Sequence, residues 1–139
     1  MLKRIALAAA LAATFALGAA ALGVAGNGGG PNKSSISLVM PSASASTASS
    51  SGPHFGDQVT FSVSTDAPSP FVNLDCYQSG RWIYDEWHGF WEGAMGGQTF
   101  TLSSTYWQGG DADCTARLVE WQSNGHQRTL ASTSFHVSA

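Results

Sequence analysis

Short runs in which apolar and polar residues alternate follow one another from residue 57 to the C-terminus. In the first run, "DQVTFSVST", Val59, Phe61 and Val63 alternate with polar neighbours, which is the period of a half-buried β-strand. Five further runs have β-like patterns: "FVNLDCYQ", "RWIYDEWH", "QTFTLSST", "DCTARLVEWQ" and "TLASTSFHV". Turn signals separate them and no segment shows sustained helical periodicity, which is typical of a sandwich or barrel. With the short run "ISLVM" (residues 36–40), the pattern predicts an all-β domain of about seven strands.

The turns predict which strands are neighbours. Only a Ser-Gly turn separates residues 71–78 from residues 81–88, and this connection is too short to cross between packed sheets. An Asn-Gly hairpin signal pairs residues 113–121 with residues 129–137 in the same way. The alternation then implies an antiparallel sandwich, in which two sheets share one core.

Alternation also divides these strands into two faces. The face expected to form the core carries Val72, Leu74, Cys76, Cys114, Ala116 and Leu118. The outward face carries Phe71, Tyr77, Arg117, Val119 and Trp121, together with Asp75, which we expect to form a cross-strand ion pair with Arg117. Strand 81–88 is ambiguous, because unbroken alternation puts Trp82 and Tyr84 on one face and Ile83 and Trp87 on the other.

The N-terminus has the order of a secretory signal peptide: a basic start, an apolar run over residues 5–22 and then small residues. We therefore expect residues 1–25 to direct secretion, and cleavage near Ala21, Gly23 or Ala25 would each fit. The rival interpretation is an uncleaved membrane anchor, since the apolar run approaches the length that spans a bilayer. Its richness in alanine and the small residues that follow favour cleavage.

The rest of the chain divides by composition. Residues 26–35 are Gly-rich and polar, and should be a flexible lead-in. Residues 36–139 are predicted to form one β-sandwich, with a Ser-rich loop at residues 41–53. Without the signal peptide, four basic residues face nine acidic ones, a net charge of −5. Nucleic acid is therefore excluded as a partner, because it requires a basic surface.

The two cysteines, Cys76 and Cys114, are predicted to form a disulfide. In an exported protein a pair of thiols is more often a disulfide than a metal site or a redox pair. Two cysteines allow one intramolecular connectivity.

The chain resembles an immunoglobulin-like sandwich. The resemblance rests on "GDQVTFSVST", "VNLDCYQSGRWIY", "TFTLSS", "GGDADCTARL" and "TSFHV". More narrowly, it is similar to small secreted or phage-encoded immunoglobulin-like proteins of high-GC bacteria, which share the phrases "V-x-L-x-C-Y-Q" and "G-G-x-A-D-C-T-A". The resemblance implies that the strands of Cys76 and Cys114 are neighbours in one sheet, so the bridge would join them within that sheet, whereas antibody-type domains bridge two sheets across the core. Antibody-type domains also carry a tyrosine where this chain has Ala112. The resemblance implies a fold and no particular activity.

Residue types used in catalysis are present without a catalytic arrangement. Asp85 and Glu86 suggest a glycosidase, but adjacent strand residues point to opposite faces. The four histidines lack metal-binding spacing, and Asp111 with Asp113 falls short of the ligand number of a calcium site. We expect neither enzyme activity nor a metal or cofactor.

Six of the fifteen residues from 77 to 91 are aromatic. With Trp121, they supply the candidate binding surface: Tyr77, Trp82, Tyr84, Trp87, Trp91 and Trp121. The first interpretation, favoured by the need to fill a core, buries two or three of the five tryptophans and folds Phe90 and Trp91 over the open end of the sandwich. The second is a surface on which rings contact protein or sugar.

These features predict a secreted or surface-exposed binding or adhesion module that recognises protein. One alternative is a carbohydrate-binding module that stacks a cell-surface polysaccharide on exposed tryptophans. Another is a secreted structural or inhibitory accessory protein. Contact with a membrane is expected only through an uncleaved signal segment.

Overall fold

The computed structural model describes residues 33–41 and 52–139. The predicted signal peptide with its cleavage site, most of the lead-in and most of the Ser-rich loop lie outside these residues. The described part of the chain forms seven strands and no helix: β1 (Ser35–Val39), β2 (Gln58–Ser64), β3 (Phe71–Gln78), β4 (Arg81–Gly89), β5 (Phe100–Thr101), β6 (Ala112–Trp121) and β7 (Gln127–Val137). A search of the same residues finds no helix of the length and apolarity needed to cross a membrane.

The strands form two antiparallel sheets, which confirms the predicted all-β class. One sheet has three strands in the order β1-β2-β5, and the other has four in the order β4-β3-β6-β7. The two predicted hairpins, β3 with β4 and β6 with β7, are both present. The four-stranded sheet is therefore continuous through β3 and β6, which lie side by side.

Side chains from both sheets form one apolar core. Val59, Phe61 and Phe100 come from the three-stranded sheet, and the predicted inward residues of β3 and β6 are at most 1% exposed. The inward faces of β2, β3 and β6 are thus as the alternation predicted. On β2 the buried positions are apolar and the polar positions between them are not buried.

The predicted disulfide is present between Cys76 and Cys114. The two residues are direct partners in the β3–β6 register, with their Cα atoms 4.1 Å apart. Both sulfurs belong to the buried core. The bond therefore fastens two neighbouring strands and does not tie one sheet to the other.

A bulge in β4 corrects the predicted faces of that strand. Cys76 opposes Tyr84, but the next residue of β3, Tyr77, opposes Trp82, so Ile83 is an extra residue. Both Ile83 and Tyr84 are buried. The Ile83 carbonyl accepts a 2.5 Å hydrogen bond from Ser104 Oγ. Unbroken alternation was wrong here, because one inserted residue shifts every following side chain by one face.

β5 is shorter than predicted. Its run was expected to continue through residues 98–105, but only Phe100 and Thr101 pair with β2. The chain then turns around Ser104, whose hydroxyl accepts hydrogen bonds from the backbone N–H groups of Tyr106 and Trp107. This turn places Ser104 beside the β4 bulge and leads the chain away from β2, so that the β2–β5 pairing ends.

Candidate binding surface

The exposed rings of the four-stranded sheet lie on its outer face, which is the face turned away from the core. Tyr77, Trp82, Trp87 and Trp121 are 42%, 50%, 39% and 54% exposed, respectively. Trp91 is half-buried and lies against Phe71 on the same face. We name these five residues the aromatic face.

The β4 bulge places two tryptophans on the same face. Trp82 opposes the outward Tyr77, and Trp87 opposes Asn73, whose side chain takes part in the outer-face hydrogen bonds described below. In a regular strand, residues an odd number of positions apart point to opposite faces. Trp82 and Trp87 are five positions apart, so they share a face only because Ile83 is an extra residue. Ile83 and Tyr84, adjacent in the sequence, both enter the core.

Gly89 makes room for the ring of Trp91. A Cβ atom built on Gly89 would lie 2.4 Å from the six-membered ring of Trp91. The ring packs edge-on against Phe71, with centroids 4.9 Å apart. Trp91 thus folds back over the end of β4 and does not plug the sandwich with its neighbour. Phe90 does pack inward, against Phe61 and Phe100.

Trp121 lies at the far end of the face, where β6 ends. It lines an open groove of about 370 Å³ with Pro68, Ser69, Glu120 and residues 122–123. Glu120, on the opposite side of the strand from Trp121, is ion-paired with Arg128 at 3.0 Å. The ring of Trp121 therefore borders a depression in the surface and is not enclosed by the protein.

Tyr84 does not belong to the aromatic face, which corrects its predicted place in the binding surface. It is 5% exposed and packs edge-on against Trp107 on the core side. Its hydroxyl donates to Glu86, which also bonds His88 at 3.0 Å. Burial raises the pKa of the Tyr84 phenol well above its ordinary value, and the Glu86 carboxylate adds to the shift. Tyr84 is thus a core residue with a satisfied hydroxyl.

A chain of hydrogen bonds crosses the aromatic face. Asp75 forms the predicted ion pair with Arg117 and accepts a 3.4 Å hydrogen bond from Trp82 Nε1. Arg117 Nη1 also donates to Asn73 Oδ1 at 3.3 Å, and Asn73 Nδ2 donates to Asp85 Oδ1 at 2.6 Å. Trp82 and Asp85 are therefore held in position by β3 and β6 as well as by β4.

Asn73 is a residue of this surface that the sequence did not reveal. It is the one buried polar residue in the described part of the chain, at 5% exposure. A buried amide needs partners for its donor and acceptor groups, and it finds them in Asp85 and Arg117. An asparagine in the middle of a predicted strand, between an aspartate and an arginine on the neighbouring strands, was the available signal.

The register gives the dimensions of the face. Trp82 and Trp87 oppose Tyr77 and Asn73, which are four residues apart on β3, or about 13 Å at the rise of a strand. Trp121 lies two strands away from β4 and beyond the end of β3. The rings are thus spread along the sheet with polar groups between them.

Only one of the five tryptophans is fully buried. Trp107 is 1% exposed, packs against Phe55 and Tyr84, and donates from Nε1 to the Gly110 carbonyl at 3.1 Å. The expectation that two or three tryptophans fill the core was therefore too high. Phenylalanines supply much of the other ring volume, with Phe61 packed against Phe90, Phe100 and Phe135.

The remaining polar clusters are internally bonded. Asp111 accepts from the backbone N–H of Ala139, and Asp113 accepts from His136 at 2.9 Å. The Gly109 carbonyl accepts from Gln78 Nε2 at 3.0 Å. Among the residues that the structure describes, no group of three or more His, Cys, Asp or Glu residues is placed to hold a metal ion.

Comparison with known proteins gives no relative: no protein-family model, no curated protein and no solved structure matches the chain.

Proposed function

We propose that the protein is an exported, non-enzymatic binding module with an immunoglobulin-like sandwich, and that it recognises a protein through the aromatic face. The observation that carries the proposal is the exposure of three tryptophans on one face of one sheet. Rings with this exposure are uncommon on the surface of a monomer, and aromatic patches of this kind are typical of contact sites.

The order of the strands supports the immunoglobulin-like assignment. β1, β2 and β5 occupy the places of strands A, B and E, and β4, β3, β6 and β7 those of C′, C, F and G. The two phrases of the resemblance also lie together in space. Gln78, which ends the first phrase, donates to the carbonyls of Gly109 and Asp111 in the second.

Fixed geometry supports recognition by the outer face. The Trp82 indole N–H donates a hydrogen bond to Asp75, and the Trp91 ring packs against Phe71 and over Gly89. Side chains that are already ordered lose less entropy when a partner binds. Tryptophan and arginine are also the residue types that contribute most to protein contacts, and Arg117 lies in the centre of this face.

Export is supported by the N-terminal pattern and by a disulfide that suits an oxidising compartment. A binding role is preferred to catalysis because the two adjacent carboxylates, Asp85 and Glu86, lie on opposite faces of the four-stranded sheet. Asp85 faces outward with Asn73, whereas Glu86 bonds Tyr84 and His88 on the core side.

A polysaccharide is the second candidate partner. Sugar stacking requires accessible indole faces, and Trp82, Trp87 and Trp121 meet that requirement. Acrylamide quenching of the tryptophan fluorescence distinguishes the two candidates. A protein partner should protect the exposed rings from quenching under the first, and a glycan should do so under the second.

The test is capture of a partner by the immobilised, oxidised protein from the secreted and envelope fractions of its own organism. We expect a captured protein to be lost with the double variant Trp82→Ala/Trp87→Ala. Tyr106→Ala is the matched control, because Tyr106 is 64% exposed in the loop between β5 and β6. Retention of the same proteins by the double variant would contradict a role for the aromatic face.

A further inference from the structure

Three side chains form a row along the outer side of β4: Trp82, Asp85 and Trp87. Asp85 opposes Asp75, midway between the positions of the two tryptophans in the β3 register. Each step along one face of a strand is about 7 Å. A single carboxylate therefore stands between two exposed indole rings on an edge strand.

The Asp85 carboxylate has a neutral partner. Asn73 Nδ2 donates to Oδ1 at 2.6 Å, which orients the group without neutralising it. Arg117 is paired with Asp75 and Arg128 with Glu120. Within residues 33–41 and 52–139, no nitrogen of Lys, Arg or His lies within 4.0 Å of the Asp85 carboxylate. The charge on Asp85 is thus available to a ligand.

Two further features favour a cationic ligand. The faces of indole rings carry negative electrostatic potential and attract Arg and Lys side chains. The described residues carry nine acidic groups against four basic ones, so the field of the whole module steers positive groups toward it. The row has the charge and the ring faces that a cation needs.

We propose that the Trp82–Asp85–Trp87 row receives an arginine or lysine side chain from a basic protein partner. This inference rests on the proposed function and names the chemistry of the partner. Arginine suits the row best, because a planar guanidinium can stack on an indole while it donates to a carboxylate. The bulge at Ile83 is what assembles the row, since it puts Trp82 on the side of Asp85 and Trp87.

A neutral glycan could stack on the same rings, but it would leave the carboxylate without a counter-charge. The experiment therefore compares a positively charged ligand with a neutral ligand of the same shape and with a neutral glycan. The oxidised protein is titrated with hexa-arginine, with its neutral isostere hexa-citrulline and with cellohexaose, and binding is followed by calorimetry at low ionic strength and at about 0.15 M salt. We expect hexa-arginine to bind about tenfold or more tightly than hexa-citrulline, and salt to weaken it.

Asp85→Asn tests the carboxylate, because it removes the charge and keeps an oxygen for Asn73. We expect it to weaken hexa-arginine binding by about five- to tenfold. Asp66→Asn is the matched control, since it removes the same charge from an exposed loop residue and should change binding less than about twofold.

The outcomes separate the two proposals. Equal binding of hexa-arginine and hexa-citrulline, or equal effects of Asp85→Asn and Asp66→Asn, would overturn the cation site. If cellohexaose binds instead and Trp82→Ala/Trp87→Ala abolishes its binding, the cation site is wrong while the aromatic face remains a recognition surface. If that double variant also captures every partner of the wild type, both proposals fail.

Discussion

At the scale of single residues, Gly89 shows how the absence of a side chain makes room for a large ring. Its outer side is filled by the ring of Trp91, which would approach an added Cβ to 2.4 Å. The atoms that an added Cβ would meet belong to the Trp91 ring, so the ring would have to move away from its place against Phe71. The position of Trp91 on the aromatic face therefore depends on the absence of a side chain at Gly89.

Gly89→Ala should displace the Trp91 ring and destabilise the fold by about 1–3 kcal/mol. In a Trp91→Ala background the same substitution should cost much less, because the clash is gone. Urea unfolding of the four proteins forms a double-mutant cycle that measures this coupling. Equal costs in the two backgrounds would contradict the contact.

Tyr84 gives a prediction for alkaline pH. Its folded-state pKa is raised, chiefly by burial, so the folded chain retains the phenol proton where the unfolded chain loses it. The free energy of unfolding should therefore fall as the pH rises above the ordinary tyrosine value of about 10, by up to about 1.4 kcal/mol per pH unit.

Urea unfolding at pH values on either side of 10 checks this. The stability difference between wild type and Tyr84→Phe should shrink above pH 10, since phenylalanine does not titrate. Tyr106→Phe, at an exposed tyrosine, should keep a constant difference from wild type. A constant difference for Tyr84→Phe as well would contradict the raised pKa.

At the scale of elements, the β3–β6 pair is central to the larger sheet. It carries the disulfide on its inner side and Asn73, Asp75 and Arg117 on its outer side. Cys76 and Cys114 are 38 residues apart. In the chain-entropy model, a loop of that length contributes roughly 4 kcal/mol by restricting the unfolded chain.

Cys76→Ala/Cys114→Ala should therefore lower the free energy of unfolding by about 4 kcal/mol, as measured by urea unfolding monitored by circular dichroism. Reduction of the wild type with a thiol should give a similar loss. A loss below about 1 kcal/mol would mean that the cross-strand pairing alone holds β3 to β6.

Much of this sheet could be predicted from the sequence, because short turns and strict alternation determine neighbours and faces. The β4 bulge could not, since Ile83 and Tyr84 fit the pattern of a regular strand equally well. The early end of β5 could not either, because the alternation continues past Thr101 while the chain turns at Ser104, whose hydroxyl bonds the distant Ile83 carbonyl. The two departures meet at this contact between β4 and the chain after β5, which joins residues 21 positions apart.

The candidate surface was predictable to a similar extent. Tyr77, Trp82, Trp87, Trp91 and Trp121 were candidates for it, although the favoured interpretation placed two or three tryptophans in the core and Trp91 over its open end, and all five lie on the outer face. Tyr84 was placed wrongly because the extra residue of the bulge turns its ring into the core. The hydrogen bond from Asn73 to Asp85 joins two strands, and alternation alone does not predict such partners.

At the scale of the whole molecule, the tryptophans divide between core and surface. Trp107 fills the interior beside Phe55 and Tyr84, whereas Trp121 is 54% exposed. Trp107→Ala should cost about 3–5 kcal/mol of stability. Trp121→Ala should cost less than about 1 kcal/mol. Thermal or urea unfolding of the two variants compares them directly, and similar losses would contradict the division.

A nuclear magnetic resonance titration of the five indole N–H groups with hexa-arginine tests directly whether the Trp82–Asp85–Trp87 row binds a cationic side chain. We expect saturable shifts at Trp82 and Trp87, reduced by Asp85→Asn, while Trp107 in the core does not respond. A titration in which Trp82 and Trp87 stay unchanged, or in which Asp85→Asn responds as the wild type does, would contradict the assignment of the Trp82–Asp85–Trp87 row as the recognition site.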